Sequence, residues 1–170
     1  ALATVEPVAP IQFGTTGSRR EVARVMLSGL ATTAPLKVEP MSLPAGAPYG
    51  RVALDKDRCT LCLACASVCP TGALRDNAES PALRFTEAAC VQCGLCVATC
   101  PERALSLEPR LSLGYEAATP CVLKAEEPFC CIACGRAFGS PSSIARVKRH
   151  LAGHALYQDP ARLKLIEMCD

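Results

Sequence analysis

The sequence predicts an α+β fold: a small pseudo-twofold domain of short strands and helices, followed by a small helical metal-knuckle segment. Three observations carry this expectation. Residues 52–74 superpose on residues 83–105 at an offset of 31. Eight of the 13 cysteines fall inside that repeat, in two tight runs. A further pair, Cys131 and Cys134, precedes a stretch with helical apolar spacing. Two copies of so short a unit imply one domain, because neither copy could bury a core alone.

Composition narrows the class. Half of the 170 residues are apolar and a fifth are charged, which excludes a chain disordered throughout. The 18 basic and 16 acidic residues nearly cancel, so no strong field points to nucleic acid or an anionic membrane. Trp is absent, and Phe and Tyr together number seven, so aromatics cannot supply the core and the cysteines must hold the fold. No signal peptide and no apolar stretch of about 20 residues is visible. Clustered rather than scattered cysteines suggest metal ligands in a reducing compartment, the cytoplasm, rather than a disulfide scaffold. The start at Ala1 without Met, and the end one residue after Cys169, lead us to expect a piece of a longer protein.

Residues 1–50 carry six of the 14 prolines and read as a linker holding one amphipathic helix over 18–33. Ser18 and Glu21 form a capping box, and Val22, Val25, Met26, Gly29 and Leu30 follow at helical spacing. That helix is expected to dock on a neighbouring surface. In the repeat domain, 51–108, each half has an extended segment, a cysteine run, a Cys-Pro and a small-apolar close ending in Leu74 or Leu105. Residues 109–128, with Pro109, Gly114, Pro120 and Pro128, read as a second linker. In the last segment, 129–170, Ser140-Pro141 starts a helix with the stripe Ile144, Val147, Leu151 and Ala155, and Asp159-Pro160 starts a shorter one.

Both runs read C-x2-C-x2-C-x3-C-P: Cys59, Cys62, Cys65, Cys69-Pro70, then Cys90, Cys93, Cys96, Cys100-Pro101. A cubane [4Fe–4S] cluster needs four thiolates, one per iron, and two-residue gaps let one loop wrap three corners. This pattern resembles the bacterial-type two-cluster ferredoxins over about 55 residues. The resemblance implies a (βαβ)2 ferredoxin fold binding two [4Fe–4S] clusters. It also implies crossed ligation: Cys59, Cys62, Cys65 and Cys100 for one cluster, and Cys90, Cys93, Cys96 and Cys69 for the other. One departure is Leu63, which stands where the family often has Gly and where the second run has Gly94; it is expected to alter the loop path or the solvent access of the first cluster. Leu61, Leu63, Ala64, Val68, Val91, Leu95 and Val97 would form an apolar shell.

Cys131-x2-Cys134-Gly135 resembles half of a zinc ribbon. Three completions stay open: Cys169 with a further ligand, the histidines His150 and His154, or no metal. Against the histidines, His150 points away from the apolar stripe of its helix and Gly153 weakens the turn between them. The Pro-Phe-x-Cys pattern and closing Met-Cys are similar to the C-terminal segment of larger bacterial 4Fe–4S proteins, where a second C-x2-C closes the site. Cys121 and Cys130 read as small buried or free thiols. The basic run Arg146, Lys148 and Arg149 reads as a solvated face rather than a DNA reader.

Four thiolates per cluster leave no open iron for a substrate, and no P-loop, dinucleotide loop or Ser/His/Asp set is present. The expected function is therefore electron transfer, not catalysis, in a domain of a larger oxidoreductase or its partner protein. Its partners would be a redox donor and acceptor, neither nucleic acid nor membrane. The alternative is a binding module with structural clusters that docks a protein or nucleic-acid partner.

Overall fold

The computed structural model describes residues 10, 12–14, 16–33, 39–77 and 79–169. Helix α1 (Arg19–Thr33) leads into strands β1 (Met41–Ser42) and β2 (Gly50–Leu54), the short helix α2 (Ala64–Ser67), and strands β3 (Leu74–Arg75) and β4 (Ala82–Phe85). Helix α3 (Leu95–Thr99), strands β5 (Leu105–Leu111) and β6 (Cys121–Ala125), and helices α4 (Pro141–Leu151) and α5 (Pro160–Leu163) complete the chain. The fold is mixed α+β, as expected.

The pairing explains why one repeat could not stand alone. β2 of the first repeat pairs antiparallel with β5 of the second, with Leu54 opposite Leu105 and Val52 opposite Leu107. β3 of the first pairs antiparallel with β4 of the second, with Leu74 opposite Phe85. Each sheet therefore takes strands from both repeats. The core between them is made of matched positions: Val52, Leu74, Leu83, Phe85 and Leu105 are all buried, together with Cys65, Cys90 and Cys96.

Both expected linkers contribute a strand, which corrects the reading of them as connections only. β1, inside 1–50, extends the first sheet, with Met41 opposite Leu111. β6, inside 109–128, extends the second sheet through a bulge between Leu83 and Arg84. A two-residue strand has no readable alternation, and β6 lies between prolines, so neither announces itself in sequence. Pro109 breaks the pattern within β5, yet its carbonyl still accepts the Leu43 amide at 3.0 Å.

The repeat extends to backbone torsions. Left-handed residues recur in pairs: Leu61 (φ 53°) with Gln92 (55°), Leu63 (59°) with Gly94 (78°), and Gly72 (63°) with Arg103 (50°). Leu63 thus follows the same left-handed path as Gly94, so of the two effects expected of it, an altered loop path or altered solvent access, the first is not found. A left-handed non-glycine residue costs about 1–2 kcal/mol, so the surrounding fold imposes this path against local preference.

α1 forms with the expected cap: the Ser18 amide donates to Glu21 at 2.7 Å and the Glu21 amide to the Ser18 hydroxyl at 3.3 Å. It docks, but only part of the expected stripe is covered, Val22 and Gly29 being half-buried. Val25, Met26 and Leu30 are exposed, while Arg24 and Ser28 donate to the carbonyls of Ser112 and Leu113. The docking face is polar because it meets the open carbonyls of a chain turn rather than an apolar surface. In the C-terminal segment, Ser140 caps α4 with a full capping box and Pro141 in the first turn.

Gly94 has room for a side chain, since an added Cβ would meet only Leu107 at 3.9 Å. Gly94→Ala should therefore lower stability by about 1–2 kcal/mol, through backbone strain alone. Urea unfolding followed by circular dichroism measures this, and a loss beyond about 3 kcal/mol would mean that the two loops do not share one path.

Candidate functional site

The four left-handed residues of the two loops turn the cysteines inward to two pseudo-equivalent cavities. One is lined by Cys59, Cys62, Cys65 and Cys100, with Leu54, Leu83 and Leu105 as apolar walls. The other is lined by Cys69, Cys90, Cys93 and Cys96, with Val52, Leu74 and Phe85 as walls. Each cavity thus gathers three cysteines of one run and the last cysteine of the other. The walls exchange under the same offset of 31, Leu54 matching Phe85, Val52 matching Leu83 and Leu74 matching Leu105.

Electrostatics at these thiols show what the donor sets require. Burial pushes the Cys65 thiol up to about 12, and the neighbouring Cys59, Cys62, Cys100 and Cys96 add to the rise. Burial likewise pushes Cys96 up to about 11, with Cys90, Cys93 and Cys69 contributing. Cys59 is raised by burial, against the Leu61 amide that donates to its sulfur at 3.5 Å. Cys69 is the exception. Burial raises it, but the amides of Leu74, Thr71 and Ala73 and the Thr71 hydroxyl outweigh burial and hold it below the ordinary thiol value. Four sulfurs in a shared cavity repel one another once ionised, and only a cationic centre can hold them as thiolates. The donor chemistry, the apolar walls and the amide donors fit an iron–sulfur cluster in each cavity.

Cys65, Cys90 and Cys96 are buried, whereas Cys62 and Cys93 are exposed. The exposed cysteines thus lie at matched points of the repeat. The expected apolar shell is not closed, because Leu95 is 47% exposed even as it lines the second cavity.

The C-terminal knuckle is a different kind of site. Cys131, Cys134 and Cys169 place their sulfurs within 4.8 Å of one another, a spacing suited to one ion. Phe129 and Phe138 pack edge to face at 5.7 Å, and the Phe138 amide donates to the Phe129 carbonyl at 2.7 Å, closing the loop. Gly135, at φ 73°, provides the turn. Lys148 of α4 pairs with Glu167 at 2.5 Å, and the Ile132 amide donates to the Glu167 carbonyl, so the tail carrying Cys169 is held against the knuckle.

The histidines lie elsewhere. His150 is exposed on α4, and Nδ1 of His154 accepts the Leu156 amide at 3.2 Å as a helix cap. Cys121 and Cys130 are free and exposed thiols, the second of the two expected readings. In the basic run, Arg146 pairs with Glu102 at 2.6 Å and Lys148 with Glu167, so both charges serve internal contacts.

Sequence reading missed two cations. Lys124 of β6 donates to the Cys59 carbonyl at 2.5 Å, and Arg20 of α1 donates to the carbonyls of Cys90 and Ala88. Cys59 and Cys90 are equivalent in the repeat, so each first cysteine is held by a cation from outside the repeat. Separations of 65 and 70 residues leave no local signal for either contact.

Residues 58–105 match the family model of the 4Fe-4S dicluster domain. No curated protein matches the chain. The match supports a 4Fe–4S ferredoxin-like domain over those residues, and an iron–sulfur function of the electron-transfer type. No helix among the described residues is long and apolar enough to cross a membrane.

One titration tests the knuckle. The amides of Cys169 and Cys134, then that of Ala133, hold the Cys131 thiol down to about 6, against a smaller rise from burial. For Cys134 the Arg136 amide acts downward, but the Cys169 and Cys131 thiols prevail and raise it. A depressed thiol contributes stability above its unfolded value, and that contribution is lost as pH falls through about 6. In metal-free protein, short-wavelength ultraviolet thiolate absorbance should show a Cys131-dependent step near pH 6 that Cys131→Ser removes. A step only at the ordinary thiol value would contradict the amide cradle.

Proposed function

We propose that the chain is an electron-transfer module rather than an enzyme, acting within or beside a larger oxidoreductase. Cys59, Cys62, Cys65 and Cys100 hold one [4Fe–4S] cluster, and Cys90, Cys93, Cys96 and Cys69 hold the other. The observation that carries this reading is the composition of the two cavities, each completed by the last cysteine of the opposite run. When bound, a [4Fe–4S] cluster supplies reversible one-electron chemistry. The chain's own part is to supply four thiolates per site, direct amides at the sulfurs, and exclude water with Leu, Val and Phe walls. Exposed Cys62 and Cys93 lie where a redox protein or another domain of the same chain can donate or accept an electron.

Residues 51–108 are the redox unit in this reading, and 129–170 is a knuckle holding zinc through Cys131, Cys134 and Cys169. Zinc suits the knuckle because it favours thiolates at tetrahedral spacing. The docking alternative is the weaker reading, since Arg146 and Lys148, two cations that would have contacted nucleic acid, are engaged by carboxylates of this chain. A cytoplasmic location follows from the oxygen-sensitive, thiolate-rich chemistry.

Protein purified without oxygen should be brown, hold about eight irons, four per cluster, and bleach with dithionite. Colourless protein carrying zinc alone would overturn the proposal. Crossed ligation makes a sharper expectation. Cys69→Ala should damage the cluster of Cys90, Cys93 and Cys96 and leave the other intact, with a three-iron EPR signal as the product. Cys100→Ala should do the reverse. Damage confined to the mutated loop's own cluster would contradict the assignment.

A further inference from the structure

The repeat makes the two cysteine sets nearly equal, so the places where it fails to repeat carry information. Cys65 and Cys96 are both 8% exposed, and solvent therefore distinguishes the sites little at this matched position. Two other contrasts are large.

The first is at the left-handed position following the first cysteine of each run. In the first run it is Leu61, 5% exposed and apolar. In the second it is Gln92, whose Nε2 donates to Cys90 Sγ at 3.4 Å and to the Arg51 carbonyl at 3.1 Å. Two acceptors fix the orientation of this amide, because a flipped group would set its oxygen against both. The orientation leaves Oε1 buried without a hydrogen-bond partner. A buried oxygen left without a partner is costly, and packing alone does not explain it. Room for the amide comes from Gly50, where a Cβ would lie 2.6 Å from the Gln92 side chain.

The second contrast is in the cations. Lys124, at the Cys59 carbonyl, is paired with Glu126 at 3.0 Å. Arg20, at the Cys90 carbonyl, lies over the Tyr49 ring at 4.4 Å and donates to the Pro48 carbonyl. None of the ion pairs among the described residues includes Arg20. Its charge is therefore not cancelled locally, whereas that of Lys124 is.

Adding an electron makes a site more negative. An N–H donated to a ligand sulfur and an uncancelled positive charge both favour the reduced form. Backbone amides reach sulfurs at both sites, Leu61 to Cys59 at 3.5 Å and Ala104 to Cys100 at 3.4 Å in the first and Leu74 to Cys69 at 3.5 Å in the second. Among the described residues only the second adds a side-chain amide, that of Gln92, and a cation outside any ion pair. We infer that the chain makes its two redox sites unequal: the site containing Cys90 takes up the first electron, and Gln92 and Arg20 set that order. This rests on the electron-transfer reading, with one electron per site supplied by an external donor.

The test is an EPR-monitored potentiometric titration of the full chain loaded with iron and sulfide, with dithionite as the electron source. Gln92→Leu and Arg20→Gln should each lower the higher of two potentials and leave the lower unchanged. A tenfold fall in the reduced-to-oxidised ratio at fixed ambient potential, ~59 mV for one electron, is the expected scale. Glu126→Gln should do the complementary thing, unpairing Lys124 and raising the lower potential only. Where a variant at Gln92 or Arg20 fails to retain iron, Glu126→Gln carries the test, since it leaves the second loop untouched. Two equal potentials in the unmodified chain would overturn the inference, as would a fall in the lower potential on changing Gln92, or no response to Glu126→Gln. Failure of the unmodified chain to hold iron would instead overturn the electron-transfer reading itself.

Discussion

Four ionised sulfurs cannot share a small apolar cavity unless something positive sits among them. That constraint organises the rest of the molecule. Burial pushes Cys65 and Cys96 well above the ordinary thiol value, and their fellow cysteines push them further. The loops cannot relieve this by opening outward, because the fourth member of each set is fixed in the other repeat, behind strands that pair across the repeats. Sheet pairing and cysteine crossing are thus two expressions of one arrangement. A chain holding only one repeat would lack a wall, a strand partner and a sulfur at once.

The additions outside the repeat break this symmetry in a consistent way. β6 and α4 lie against the first loop, where Lys124 holds the Cys59 carbonyl and the Ser140 hydroxyl donates to the Thr60 carbonyl at 3.1 Å. α1 lies against the second loop through Arg20. Both additions reach the loops through hydrogen bonds to open carbonyls; Leu123 of β6 also packs against the core and Ala31 of α1 is buried, while Val25 and Leu30 of α1 stay exposed. Such contacts cover the loops without lengthening them. They also place charge beside each cysteine set, and the charge differs between the two.

What the sequence disclosed and what it withheld follow from distance along the chain. The repeat, the cysteine runs, the capping box at Ser18, the N-cap at Ser140 and the knuckle turn at Gly135 are local patterns, and each was legible. The strand pairing of β1 with β5 and of β6 with β4 was not, because two-residue and proline-flanked strands carry no periodicity. Leu63 misled in an instructive way. Its side chain suggested a different loop path or a change in solvent access, and as to the path, the fold that fixes Leu61, Gly72 and their repeat partners imposes the left-handed conformation there too. Arg20 and Lys124 could not have been singled out from sequence, since each meets its carbonyl across more than 60 residues.

The central claim is that each redox site is built from both repeats. Anomalous diffraction at the iron edge, on crystals of the chain purified without oxygen, tests it without altering any residue. The account predicts two separate iron centres, one bounded by Cys59, Cys62, Cys65 and Cys100 and the other by Cys90, Cys93, Cys96 and Cys69. Iron centres bounded by Cys69 together with Cys59, Cys62 and Cys65, or single zinc ions in place of iron, would contradict it.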